Sequence, residues 1–234
     1  FVDGVTAEIQ SVRGSLKGEI FGPLNDPLAA SGSLESSGLQ FELPALGLKA
    51  TSGKVVASLA GDRQLKLDGK FAIAPGELIL EGVVGLGDGA LTELNIRANN
   101  AGLVDLPAVR LAGDTNFVVT RRDGGFAIDG GILLRGGRID LDRFAPDVPP
   151  SEDVYIEDAP PAADGPPIHA DVSIAFMQAV DLRGYGLEGT LGGGLRITQR
   201  PGSRTLAQGE LTASGVYNAY GQKLDIERGR MIFS

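Results

Sequence analysis

The chain has 234 residues, 21 Lys plus Arg against 30 Asp plus Glu, and a net charge of −9. That balance argues against a nucleic-acid groove, which needs clustered cations. With no Cys, no Trp and one His, the composition leaves no material for a thiol nucleophile, a structural zinc site or a site built from several imidazoles. Glycine is the outlier, at 35 residues, roughly twice ordinary usage.

In chain order the dominant signal is a period of two. Over 64–74, Leu65, Leu67, Phe71 and Ile73 alternate with Lys66, Asp68 and Lys70. Over 116–121, Phe117 and Val119 alternate with Val118 and Thr120, and Phe126, Ile128, Ile132 and Leu134 then share one face against Asp129 and Arg135. Further on, Val172, Ile174 and Phe176 alternate with Asp171, Ser173 and Ala175, and Leu187, Leu191, Leu195 and Ile197 with Glu188, Thr190, Arg196 and Thr198. Successive side chains of a strand point to opposite faces, so each run predicts a strand with one apolar and one wet side. No stretch carries helical spacing. The fold expected is all-β: about 15 short strands at 8–12-residue spacing, joined mainly as hairpins in an antiparallel meander. Turns are expected at 61–62, 87–89, 99–100, 123–125, 136–137 and 201–202, where Gly, Asn, Asp and Pro cluster.

Glycine recurs between apolar residues two apart, as in Leu16/Gly18/Ile20, Leu67/Gly69/Phe71, Ile128/Gly130/Ile132 and Leu191/Gly193/Leu195. That spacing puts each glycine on the apolar face. Two arrangements satisfy it: a sheet curled with its apolar face concave and gapped, or two sheets packed closely in a sandwich. A loose repeat relates 14–34 to 189–211, with Gly18 aligned on Gly193 and Leu34 on Leu211.

The segment 145–167 differs, with seven Pro, six acidic residues and no Lys or Arg. It reads as a long loop inserted in one array, with a strand-like stretch at 154–156, whose replacement by a short linker should change stability little. No site for chemistry emerges. His169 stands without a motif partner; Gly85, Gly87 and Gly89 lack the helix that a dinucleotide fingerprint requires; the Gly- and Asp-rich stretches lack a nine-residue calcium period. Arg135, Arg138, Asp140, Asp142 and Arg143 read as a solvated outer face. The chain reads as a non-enzyme without cofactors or metal, excised from a longer protein, since it starts without Met and stops in the apolar run Met231-Ile232-Phe233.

The last fifty residues carry a specific signature. It runs from Tyr185-Gly-Leu187-Glu-Gly189 through Gly209-Glu-Leu211 to Gly215-Val-Tyr217-Asn-Ala219-Tyr220-Gly221-Gln222-Lys-Leu224-Asp-Ile226-Glu-Arg-Gly229-Arg-Met231-Ile-Phe233. This resembles the TamB C-terminal domain family, and Ser151-Glu-Asp153-Val154-Tyr-Ile156 matches a further family segment. The resemblance implies a β-taco, an open half-pipe with an apolar interior, formed by 1–234 as one elongated array. It implies a periplasmic setting in a Gram-negative bacterium, with an inner-membrane tether outside this stretch. It also implies an Omp85 outer-membrane partner of the TamA type, and a part in outer-membrane protein and autotransporter assembly and in phospholipid transport. The groove liners expected from alternation are Leu67, Phe71, Ile73, Phe117, Val119, Phe126, Ile128, Ile174, Phe176, Leu195 and Ile197. The edge at 224–233 is expected to be a site of self-association through an open sheet edge. A structural or adhesive β-array with a filled core is the competing reading.

Overall fold

The computed structural model describes residues 12–21, 31–60, 63–87, 90–122, 124–144, 167–219 and 221–234. Among these residues it holds thirteen strands and no α-helix. In order they are β1 (Val12–Phe21), β2 (Ser31–Leu43), β3 (Leu48–Ala60), β4 (Gln64–Ile73), β5 (Gly76–Gly85), β6 (Thr92–Asp105) and β7 (Val109–Arg122). β8 (Gly125–Asp140), β9 (Ile168–Phe176), β10 (Val180–Gly184), β11 (Leu187–Gln199), β12 (Leu206–Ala219) and β13 (Gln222–Phe233) follow. All belong to one sheet. The all-β antiparallel expectation holds, but several strands reach 13–16 residues and so outrun the expected spacing.

From β1 to β8 each strand pairs antiparallel with the next, as hairpin connections dictate. The antiparallel order resumes from β11 to β13. Between them the chain breaks the meander. β9 lies parallel to the first half of β8, with Phe126 opposite Ile168 and Ile132 opposite Ile174. β10 lies parallel to its far end, with Leu182 opposite Ile139. Both also pair antiparallel with β11, so β9 and β10 share one strand position.

The sheet has a single apolar face. In β4 the odd-numbered residues are the covered ones and the even-numbered ones are exposed. Residues directly opposite in a ladder point to the same side, so the register carries that face across the sheet. Ala50 and Ala101 are each 1% exposed on it. No second layer lies among the described residues to cover them, so the sheet covers itself by curling. β3 and β6, with two strands between them in the ladder, come within 8 Å of each other, Cα to Cα. At Gly47, just after the 3-10 turn Pro44–Leu46, an added Cβ would overlap the carbonyl oxygen of Asp105 in β6. The Gly102 N–H donates to the Ala74 carbonyl at 3.2 Å, tying β6 to the end of the β4–β5 hairpin. The result is a half-pipe, the curled arrangement and not the sandwich.

Two expected turns are bulges inside strands. Asn99 and Asn100 lie within β6, where the register to β7 shifts between Ala98 and Ala101 and Asn100 has φ 46°. Gly136 and Gly137 lie within β8 at the shift opposite Ala112 and Gly113, and their φ values of 144° and 151° suit glycine. A bulge uses the same residue types as a turn because both need one residue outside ordinary strand geometry. The loose repeat has a structural counterpart: Gly18 pairs with Leu34 in β1–β2 as Gly193 pairs with Leu211 in β11–β12.

The strand-like stretch 154–156 and nearly all of 145–167 lie outside the described residues, but their two ends show what the segment must do. The Phe126 N–H donates to the Pro167 carbonyl at 2.9 Å, so β9 starts beside the start of β8. The other end leaves from the far end of β8, where Gly184 of β10 lies against Leu141. From Phe126 to Asp140 the strand rises about 46 Å. The described ends on either side of the segment therefore lie far apart along β8, a distance that any linker replacing it has to span. With 149–166 replaced by four Gly-Ser residues, the eight residues left between Phe144 and Pro167 reach about 32 Å at most. That variant should lose cooperative melting of the β9–β13 part, whereas an 18-residue Gly-Ser replacement should melt within a few degrees of the parent; thermal circular dichroism on both decides it.

Candidate functional site

The register assembles the apolar face into rows that run across the strands. One row passes through Phe71, Leu78, Ala98, Thr115, Ile132, Ile174, Leu195, Gly209 and Phe233. The next passes through Gly69, Leu80, Ile96, Phe117, Gly130, Val172, Ile197 and Ala207. Beyond it stand Leu67, Gly82, Leu94, Val119, Ile128, Ala170 and Gln199. No charged side chain enters these three rows.

All eleven residues selected by alternation lie on this face. Leu67, Val119 and Ile128 share the last of these rows, Phe117 and Ile197 the middle one, and Phe71, Ile174 and Leu195 the first. Ile73 and Phe176 stand one step beyond the first row, and Phe126 one step beyond the last. Phe71 and Ile73 are buried; the other nine are half-buried. Leu78, Leu80, Leu94 and Ile96 belong to the same surface and were not singled out. β5 reads Leu78-Ile79-Leu80 and Val83-Val84, a continuous apolar run in which alternation is invisible. Only the pairing to β4 shows which residues face inward.

Glycines set the close approach of neighbouring strands. At Gly130, φ is 157° and an added Cβ would overlap the Asn116 carbonyl oxygen of β7. At Gly209, φ is 137° and a Cβ would overlap the carbonyl oxygen of Gly194. Any side chain there would push the strands apart. Gaps were expected beside such glycines, but aromatic rings cover two of them. The Phe117 ring lies 2.9 Å from where a Gly130 Cβ would stand, and the Phe71 ring lies over Gly53.

The signature residues fall at the last hairpin. Tyr217, Leu224, Ile226, Gly229 and Phe233 take inner-face register positions, and Ala219 pairs with Gln222 at the tip. Gly221 has φ 75°, the left-handed geometry a tight hairpin requires; Tyr220 lies outside the described residues. β13 is the last strand of the sheet, with Leu224, Met231, Ile232 and Phe233 exposed.

The convex face is laced by cross-strand ion pairs: Lys49–Glu42 at 2.6 Å, Lys54–Glu35 and Lys70–Glu77 at 2.7 Å, and Arg230–Glu210 at 2.6 Å. Exposed pairs of this kind add little stability individually. They do mark this side as the wet one, and they hold the Glu35, Glu77 and Glu210 carboxyls below their ordinary range through the hydrogen bond from the paired cation. Asp114 has a structural task. Its Oδ1 accepts the Asn100 N–H at 2.8 Å and its Oδ2 accepts Arg135 Nε at 2.7 Å, so it caps the β6 bulge. The backbone hydrogen bond from Asn100 is the main cause holding its carboxyl below the usual aspartate range.

The folded molecule is a curled, single-layer β-sheet with an apolar inside and a charged outside, the architecture of a β-taco half-pipe. The chain belongs to the TamB C-terminal domain family, whose model matches residues 64–234. It is similar to the translocation and assembly module subunit TamB of Haemophilus influenzae, at 27% identity over 246 residues, an alignment covering 96% of this chain and 19% of that relative. The chain thus spans about a fifth of the relative's length. No solved structure matches it.

Because these carboxyls titrate lower in the folded chain than in the unfolded one, their contribution is present above the ordinary carboxylate range and is lost as pH falls through the folded values. The melting temperature should therefore hold from neutral pH down to about 5 and fall below about 4. Asp114→Asn should lower it by a few degrees at pH 7 and flatten part of that acid limb; an acid limb identical to the parent's would contradict the role given to Asp114.

Proposed function

We propose that this chain is a non-catalytic module of translocation and assembly, working in the periplasm, whose concave face shields apolar cargo from water. The cargo is the acyl tails of phospholipids or the one-sided apolar strands of outer-membrane clients, handed on to an Omp85 partner of the TamA type. A tether to the inner membrane lies outside this stretch. The observation that carries the reading is an inner face whose three rows, traced from β4 to β13, hold apolar and small side chains without a charge, most of them half-exposed.

The physical case needs no reaction. Each CH₂ withheld from water is worth about 0.8 kcal/mol, so two exposed lipid tails cost upwards of about 20 kcal/mol. A continuous apolar trough lowers that barrier by offering contact along the whole path. Eleven strand spacings of about 4.8 Å give a path of about 50 Å, several lipid widths long. The free edge of β13 supports the client-strand version, because an unpaired ladder edge can hydrogen-bond a further strand. A structural or adhesive array, the competing reading, needs an inner face filled throughout by its own side chains.

Charge placed on the face separates these readings. Ile174 is half-buried, so in an open trough a carboxylate at this position stays hydrated. Ile174→Asp and Phe126→Asp should melt within a few degrees of the parent yet lose most binding of a fluorescent fatty acid and fail to restore outer-membrane integrity in a complementation assay. The convex-face control Asp129→Arg should keep both. If the two variants unfold outright, the face is a filled core. If they fold, bind and complement normally, it carries no cargo.

A further inference from the structure

The inner face is not equally open along its length. Between β2 and β6 it is filled by its own side chains. Phe71 and Ile73 are 8% and 7% exposed and form one buried cluster with Ala50, Ala98 and Ala101, against which Leu39, Phe41, Val55 and Leu78 pack. The Phe41 and Phe71 rings meet edge to face, with centroids 5.2 Å apart and planes at 77°. The approach of β3 to β6 closes the sheet over this cluster. In the same row beyond β7, Ile132, Ile174 and Leu195 are half-buried, and Phe233 is 38% exposed. In β4 the next row is also buried, at Gly69, and Leu67 beyond it is half-buried, as are Ile96 and Leu94 in β6.

Resting on the cargo reading above, we propose that Phe71 sets the width of the groove: its ring closes the row at Phe71 to cargo between β4 and β6. The trough is broad from β8 to β13 and narrows at β4 to the row of Leu67, where Gly69 and Phe71 are both buried. Phe71 is suited to this because of what surrounds it. Its ring covers Gly53 and borders Gly69, two positions without side chains of their own. Removing the ring therefore opens space between Gly53 and Gly69, bordered by Leu39, Val55 and Leu80. Acyl chains that occupy the full width near β13 are restricted to a narrower strip at β4–β6, so the pinch discriminates by cross-section, favouring a single straight chain over a branched one. Ala98, in the same row two strands on, is 4% exposed and belongs to the same buried cluster, so it is the residue that reports the closure.

The test uses palmitate carrying a chain-end diazirine, photolysed with the folded chain and mapped by mass spectrometry. The parent should cross-link at Leu195, Ile174 and Leu94 and stay at background at Ala98. Phe71→Ala should bring Ala98 up towards the yield seen at Leu195, and Phe71→Leu, which keeps more of the bulk and serves if the alanine variant does not fold, should bring it part of the way. Cross-linking at Ala98 in the parent equal to that at Leu195, or no gain at Ala98 in a folded variant, overturns the width role and leaves the cargo reading standing. Absence of cross-links everywhere overturns both. A readout without lipid checks the packing itself: Phe71→Ala should lower the melting temperature by about 10 °C and Ile174→Ala by only a few degrees. Equal falls overturn the uneven filling.

Discussion

The fold depends on hiding one apolar face with a single layer. Most domains bury a sheet face against a second layer of helices or strands. Here the described residues form one sheet, and its hydrophobic side has only itself to pack against. Curling is the available solution, and it is incomplete. Where β3 comes round to β6 the face closes into a true core, and elsewhere its side chains stay half-covered. That residual exposure is a stability cost under the ordinary logic of folding, and it is the property that a carrier of apolar cargo requires.

The glycines and aromatics make the curl. A strand of uniformly large inner residues resists bending toward its own side chains, since they collide. Placing Gly69, Gly130, Gly193 and Gly209 among leucines and isoleucines removes the collisions at intervals, and the Phe71 and Phe117 rings lie across into the space at Gly53 and Gly130. Small and large residues thus work as a pair across neighbouring strands. On the other side, ion pairs link neighbouring strands and keep the convex surface soluble and distinct from the inside.

Much of this was legible in the residues, and the exceptions have physical reasons. Alternation identified β4, β7, β8, β9 and β11 because their outer faces carry Lys, Asp, Arg and Thr. It was silent on β5, whose outer face holds Ile79 and Val83 and so matches its inner one. Turn chemistry pointed to 99–100 and 136–137, but both are bulges, because Asn100 finds a cap in Asp114 of the next strand and the glycines are held in a longer ladder than local residues can announce. The parallel placement of β9 left no local mark either. A Pro- and acid-rich segment looks the same whether it loops out and returns or carries the chain about 46 Å back along a strand. Long-range register alone tells them apart.

The central claim is that the inner face is apolar, continuous and open to water over much of its length. The chain has no cysteine, so single cysteines can be placed one at a time along the row from Ala98 through Ile132, Ile174, Leu195 and Phe233. The measurement is the rate at which each reacts with a small water-soluble thiosulfonate in the native state without cargo. The account predicts slow reaction at Ala98 and rates from Ile174 to Phe233 that approach those of convex-face controls such as Asp129. Uniform protection along the whole row, as in a closed core, would contradict it.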